Sequence, residues 1–239
     1  MDKWTSPSDH VPVCFETKSG LYVLSWNILN KKWIKNIESN SQGLKDSLLM
    51  RMHHLGIRNQ IIINQIKEWV LLGVHVICIQ ECSSDMLKEI QKLKNVTVFH
   101  SDKKKNDIGV FILTNKVGTD FKTDEGIYSD DRDHFIMSIM VDGLTIVNTH
   151  VPGGKEAKGP KELTSWIEKM YHSKTILVGD MNQDHLAFHL KDYTYHQPSY
   201  YTHINTNKHF VNYDHIWTRE VTGRVLTPPD TRFKVIIRQ

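Results

Sequence analysis

The feature that most constrains this chain is a succession of short apolar runs, each closed by polar residues or glycine. They fall at 21–26, 74–79, 96–99, 109–113, 135–141, 144–148, 175–178 and 215–217, and they are rich in β-branched and aromatic residues. Segments of that length and composition read as strands, because such side chains fit a pleated, half-buried surface. Helical spacing is rarer. It occurs at 58–72, where Ile62, Ile66, Trp69 and Val70 recur before Gly73, and at 84–93, with Leu87, Ile90 and Leu93. A third segment, 160–172, opens on Pro160 and turns Leu163, Ile167 and Met170 inward. Most strands lie too close together for regular βαβ alternation. The expected fold is therefore a layered α/β sandwich, with mixed sheets inside and helices outside. Residues 30–57, rich in Lys, Asn, Ser and His, are expected to form a surface excursion with a helix around 44–55.

At 239 residues the chain fits one domain, 1–239. No stretch reaches the roughly 18 apolar residues of a membrane span, and the first ten residues lack the basic start and apolar run of a secretory signal. An intracellular, cytoplasmic, monomeric protein with no membrane insertion is expected. Cys14, Cys78 and Cys82 show no metal-like clustering and read as buried thiols. A net charge of +3 permits a phosphate-bearing partner without demanding one.

The chemistry gathers where runs end. Asn27 closes the first, Glu81 the second, Asn148-Thr149-His150 the sixth and Gly179-Asp180-Met181-Asn182 the seventh, while Asn212-Tyr213-Asp214-His215 opens the eighth. A sheet holds such positions rigid beside a solvent cleft. Hard cations such as Mg²⁺ bind carboxylate oxygens, asparagine amides steady a phosphate without adding negative charge, and histidine moves protons near neutrality. Each signal alone is weak. A Glu after a strand is usually solvated, and Gly-Asp-x-Asn is usually a turn.

Their order is more specific. Val23-Leu24-Ser25-Trp26-Asn27-Ile28-Leu29, Val76-Ile77-Cys78-Ile79-Gln80-Glu81, Gly109-Val110-Phe111-Ile112-Leu113, Val147-Asn148-Thr149-His150, Ile176-Leu177-Val178-Gly179-Asp180-Met181-Asn182 and Tyr213-Asp214-His215-Ile216 follow one another along nearly the whole chain. This series resembles the endonuclease/exonuclease/phosphatase superfamily of metal-dependent, DNase-like phosphoesterases. The resemblance implies a four-layered α/β sandwich, two packed mixed β-sheets flanked by helices. That family closes on Ser-Asp-His-x-Pro-Val, and residues 221–239 contain no histidine. The motif stands instead at the start, as Ser8-Asp9-His10-Val11-Pro12-Val13, and runs through Cys14-Phe15 toward the first strand. A circular permutation is expected, with the former ends joined near 17–20, since domain termini lie close together and exposed loops tolerate new ones. The plainer alternative is an N-terminal tail that matches by accident.

The resemblance implies roles. Glu81 would be the main carboxylate for Mg²⁺ or Mn²⁺, with Asn27 beside it and Asp9 at a second metal position. Asp180 would orient or deprotonate the attacking water, and Asn182 would hold the phosphate. His10 would bind a phosphate oxygen or move a proton, with Asp214 fixing its tautomer, and His150 would assist the transition state. His10 and Asp214 are thus expected in contact. His134, Arg132 and Lys155 could reach substrate from flanking loops but are weak candidates, since surface residues of these types are mostly solvated, and His215 reads as structural. The expected activity is a metal-dependent phosphodiesterase hydrolysing a phosphoester, as a nuclease or nucleic-acid-end-processing enzyme. The loop Lys103-Lys104-Lys105 fits backbone contacts, though lysine runs are usually just solvated. A phosphatase for a lipid head group or small phosphorylated molecule is the alternative. It is disfavoured because Tyr213-Asp214-His215 stands where that branch carries Cys-Asp-Arg. A catalytically silent binding module is the third reading. Loops 30–57, 100–107, 152–160 and 183–210 would set the substrate.

Overall fold

A computed structural model describes residues 6–40, 48–101, 107–124, 134–153, 158–169, 174–204 and 210–226. Its strands are β1 (Val13–Thr17), β2 (Tyr22–Asn27), β3 (Val76–Cys82), β4 (Val96–His100), β5 (Ile108–Thr114), β6 (Gly118–Asp124) and β7 (Phe135–Val141). They continue as β8 (Leu144–His150), β9 (Thr175–Asp180), β10 (Thr194–Tyr195), β11 (His203–Ile204), β12 (Phe210–Val211), β13 (Asp214–Arg219) and β14 (Gly223–Val225). The helices are α1 (Lys31–Asn40), α2 (Leu48–His54), α3 (Arg58–Leu71), α4 (Ser84–Gln91) and α5 (Gly159–Lys169).

Two mixed sheets of six strands result, ordered β14-β1-β2-β3-β5-β4 and β10-β13-β9-β8-β7-β6. The second sheet has its parallel pair where the first does, near its middle: β2 with β3 in one, β8 with β9 in the other. Parallel partners run the same way, so their polar C-terminal residues lie side by side, Asn27 next to Gln80 and His150 next to Asp180. Val23, Val76, Cys78 and Phe111 of one sheet pack on Met137, Ile139, Ile146 and Val178 of the other. Outer faces are covered separately. Ile62, Ile66 and Trp69 of α3 lie on Leu24, Trp26 and Ile77, and Leu163 and Ile167 of α5 lie near Val147 and Leu177. Both faces of the central strands are thus buried, which is why they read as continuous apolar runs.

The expected α/β sandwich and each of its eight strands are present. One expectation is corrected. Residues 30–57 are not merely a surface excursion, because Ile34 and Ile37 of α1 and Leu49 and Met50 of α2 are buried with Leu29 and Ile204 in a small core of their own. The helix expected around 44–55 is described only as α2. Met170, Arg132, Lys155 and Lys103-Lys104-Lys105 lie outside the described residues. All three cysteines are free and buried, as expected. Among the described residues no helix is long and apolar enough to cross a membrane.

Candidate active site

The site lies where the ends of the two parallel pairs meet across the sandwich. Neighbouring residues on a strand ordinarily face opposite ways. Gln80 and Glu81 nevertheless both reach toward the second sheet. The β3–β5 register shifts between Ile79 and Cys82, and Glu81 adopts a left-handed backbone with φ of 55°. Such a bulge re-aims a side chain at a local backbone cost that the surrounding sheet must sustain. Gln80 then donates to Asn148 Oδ1 at 2.8 Å, and Glu81 accepts from Asn27 Nδ2 at 3.0 Å. The same amide nitrogen donates to Asp180 at 2.8 Å, so Asn27 ties the carboxylates of both sheets together. Its carbonyl oxygen accepts from the Leu29 N–H, and the Asn30 N–H holds the other Glu81 oxygen at 2.8 Å.

The opposite wall is as tightly set. Gly179 lies so close to β8 that a Cβ there would fall 1.9 Å from the Thr149 carbonyl oxygen, which excludes any larger residue before Asp180. Asn182, also left-handed at φ of 50°, donates its backbone N–H to Asp180 at 2.9 Å. The Asn182 amide meets His150 Nε2 at 3.1 Å and the Val151 carbonyl at 3.0 Å. His150 Nε2 lies 3.7 Å from Glu81 and 3.6 Å from Asp180.

The N-terminal segment closes the site from above. His10 Nδ1 is 2.8 Å from Asp214 Oδ2, a contact between residues 204 positions apart, and its Nε2 is 3.5 Å from Asp180. Ser8 donates to the Asn27 carbonyl at 2.8 Å, and the buried Arg58 of α3 donates to the carbonyls of Pro7, Ile28 and Leu29. The guanidinium thereby pins residues 7–10 to the end of β2. Residues 202–204 grip the same segment from the other side, through Val11 N–H to Thr202 O and Ile204 N–H to Asp9 O.

The positions expected from the sequence motifs, Asp9, His10, Asn27, Glu81, His150, Asp180, Asn182 and Asp214, therefore fall in one cluster. His215 faces away, its Nε2 against the Asn212 carbonyl at 3.1 Å, and burial lowers its pKa to about 4. His134, a weak candidate from a flanking loop, lies with its ring centroid 4.4 Å from that of His150. Two residues carried no sequence signal. His203 stacks on His10 at 4.2 Å with planes 8° apart, and Asp107, at the start of β5, is buried and ion-paired to Lys32 at 2.8 Å. His203 is brought in by a two-residue strand, and nothing in its local pattern separates it from the other histidines. Asp107 leads into an apolar run, but a carboxylate in that place is ordinarily solvated and does not stand out.

Charge is crowded here. Burial pushes the Glu81 carboxyl up to about 8, and neighbouring Asp107 and Asp9 add to the effect. Burial also raises Asp180, against the attraction of His10. His10 is held well above the ordinary imidazole range: burial opposes its charge, but Asp214, Asp180 and Asp9 outweigh it. Asp9 falls to about 2, because His10 and His203 more than offset its burial. Ligand atoms of Glu81, His150 and Asp180 lie within 4.8 Å of one another, as do those of Asp9, His10 and His203, so either trio could hold a metal ion.

No family model matches the chain, and no curated protein does. Solved structures share its fold. ANGEL2, described as a 2',3'-cyclic phosphatase and solved with adenosine-2',3'-vanadate, is 12% identical over 91% of both chains, with a TM-score of 0.63. TDP2 of D. rerio, complexed with a single-strand DNA product, is 14% identical over 83% of both, with a TM-score of 0.56. A 3'-5' exonuclease of Neisseria meningitidis is 17% identical over 67% of this chain and 82% of its own, with a TM-score of 0.52. The chain thus has the DNase-like α/β sandwich fold of exonuclease/phosphatase structures.

Proposed function

We propose that this chain is a divalent-metal-dependent phosphodiesterase that cleaves a nucleic-acid phosphoester by in-line attack of water, as a nuclease or end-processing enzyme. The observation that carries this reading is the joint hold of Asn27 on Glu81 and Asp180, directly beside the His10–Asp214 pair. Structures of the same fold include an exonuclease, a cyclic phosphatase and a protein holding a DNA product, which supports phosphoester chemistry.

The residues fit a divalent cation. Glu81 is buried among other carboxylates at a cost that a cation would relieve, and oxygen donors of this kind suit Mg²⁺ or Mn²⁺. Glu81 would be the principal ligand, Asn27 would keep it in place, and Asp9 would serve a second position. When bound, the ion supplies charge stabilisation at the phosphoryl oxygens. Asp180 orients the water and accepts its proton. Asn182 and His150 hold the phosphoryl group, and His10, its tautomer set by Asp214, donates to a non-bridging oxygen. The positive His10 faces the place where negative charge develops.

The relocated Ser8-Asp9-His10 motif is part of the proposal. A circular permutation is supported by the tight turn at 17–20, closed by Gly20 N–H to Thr17 O at 2.9 Å, which links β1 directly to β2.

Calorimetric titration with Mg²⁺ or Mn²⁺ tests the reading. Glu81 is protonated below about pH 8. Metal must therefore displace a proton, and affinity should rise from pH 6 to 8 with a heat that depends on buffer ionisation. Hydrolysis of bis(p-nitrophenyl) phosphate should appear with the metal. Neither binding nor turnover would leave the silent binding module as the better reading.

A further inference from the structure

Arg58 opens α3, yet it is only 4% exposed. A buried guanidinium is costly unless its donors find partners. Here backbone carbonyls accept from them. Nε donates to Pro7 at 2.6 Å, and Nη2 donates to Ile28 and to Leu29, the second at 2.7 Å. Burial lowers its pKa to about 10, against the pull of Asp9 and Glu81, so it stays charged at neutral pH.

Those carbonyls belong to two short segments, 7–9 and 28–30, that lie in no helix or strand. Each segment carries one half of the site. Pro7 leads into Ser8, whose hydroxyl donates to the Asn27 carbonyl at 2.8 Å and accepts from the His10 N–H at 3.2 Å. Leu29 is left-handed at φ of 54°, a costly setting for a bulky side chain. Its N–H holds Asn27 Oδ1, which turns Asn27 Nδ2 toward Glu81 and Asp180. Asn30 follows, giving its N–H to the other Glu81 oxygen.

We infer, resting on the proposed phosphodiesterase reading, that Arg58 is a positioning residue for the reaction. It fixes the cation side, Asn27 and Glu81, relative to the acid–base side, His10. Its donors are turned to backbone, so it acts through these two segments and not on the phosphate. Lysine cannot take its place, because an ammonium is a point charge without the rigid fork that reaches several carbonyls at once. Misplacing reacting groups by about 1 Å costs about a hundredfold in rate, so the loss of this fork is read in kcat.

Two variants and two measurements test this. Arg58→Lys keeps the charge without the fork, and Arg58→Ala leaves a space that free guanidinium can enter. With Mn²⁺ and bis(p-nitrophenyl) phosphate, Arg58→Lys should lower kcat about a hundredfold and leave KM nearly unchanged. Arg58→Ala should fall at least as far and should recover activity with guanidinium chloride well below denaturing levels, but not with sodium chloride of equal strength. The second measurement needs neither metal nor turnover. The ring ¹⁵N shifts of His10, assigned through His10→Asn, should move in Arg58→Lys at one fixed pH. Those of His215, held by the Asn212 carbonyl, should stay in place. An unchanged kcat in Arg58→Lys, whatever its melting temperature, would overturn the inference and leave Arg58 a purely structural residue. Unmoved His10 shifts would overturn it too, as would a folded Arg58→Ala that ignores guanidinium. If the alanine variant does not fold, the lysine variant decides alone. No turnover by the wild type strikes the phosphodiesterase reading instead, and the His10 shifts still report whether Arg58 places that ring.

Discussion

Two rows of polar side chains cross the sandwich one residue apart, and they differ in kind. The inner row is neutral. Gln80 joins Ser25 at 3.0 Å and Asn148 at 2.8 Å, and Asn148 donates onward to the carbonyls of Ile79 and Val110. The outer row is ionisable, with Glu81, Asp180 and His150 gathered around Asn27 and a raised carboxyl at Glu81. Amides can be buried cheaply once each group finds a partner, so the inner row locks the sheets together. Carboxylates in the same position cost more than they return unless a positive charge is supplied, which the proposed cation would do. The left-handed backbone of Glu81 separates the two rows physically.

The largest effect expected is on catalysis in the outer row. Glu81→Gln should lower kcat by about a thousandfold or more, while the melting temperature holds or rises because a strained buried acid has gone. A matching fall in melting temperature would dissolve the contrast between the rows. His10→Asn should reduce kcat by about 10²–10⁴-fold, as loss of a positioned proton donor does, again with little change in stability. Next comes the inner row. Asn148→Leu leaves Gln80 and two backbone carbonyls without their partner, and should cost about 2–4 kcal/mol in denaturant unfolding. Residual activity per folded molecule should survive, which Glu81→Gln would not allow. Smallest is a pH effect outside both rows. His215 is kept neutral down to about pH 4 by burial, whereas the unfolded chain takes up the proton near 6.5. Its folded pKa is depressed, so stability is complete above 6.5 and is lost as pH falls toward 4. The loss is at most about 3 kcal/mol, and His215→Phe should flatten that limb of the unfolding curve.

How much of this was legible beforehand follows from burial. Strands covered on both faces, such as β3 and β5, read clearly because every position is buried and most are apolar. By contrast β6, an edge strand reading Gly-Thr-Asp-Phe-Lys-Thr-Asp, has no fully buried residue and looks like loop. The helix α1 was missed because Ile34 and Ile37 supply its only described buried contacts. Of the site, residues within strand-end motifs could be found by their order. His203 and Asp107 could not, since each matters only through a neighbour distant in sequence, His10 for one and Glu81 for the other. Arg58 was hidden for a related reason: nothing about an arginine opening a helix announces that its guanidinium will hold three carbonyls of two other segments.

The bond between His10 and Asp214 has a consequence in time. A ribosome delivers Asp214 204 residues after His10, so the histidine waits through that stretch of synthesis without its partner. Closure over that separation is slow by nature. A nascent chain halted before β13 carries Glu81, Asp180 and His10 yet lacks the carboxylate that His10 meets. The contact is therefore completed late, when β13 joins a segment made 204 residues earlier.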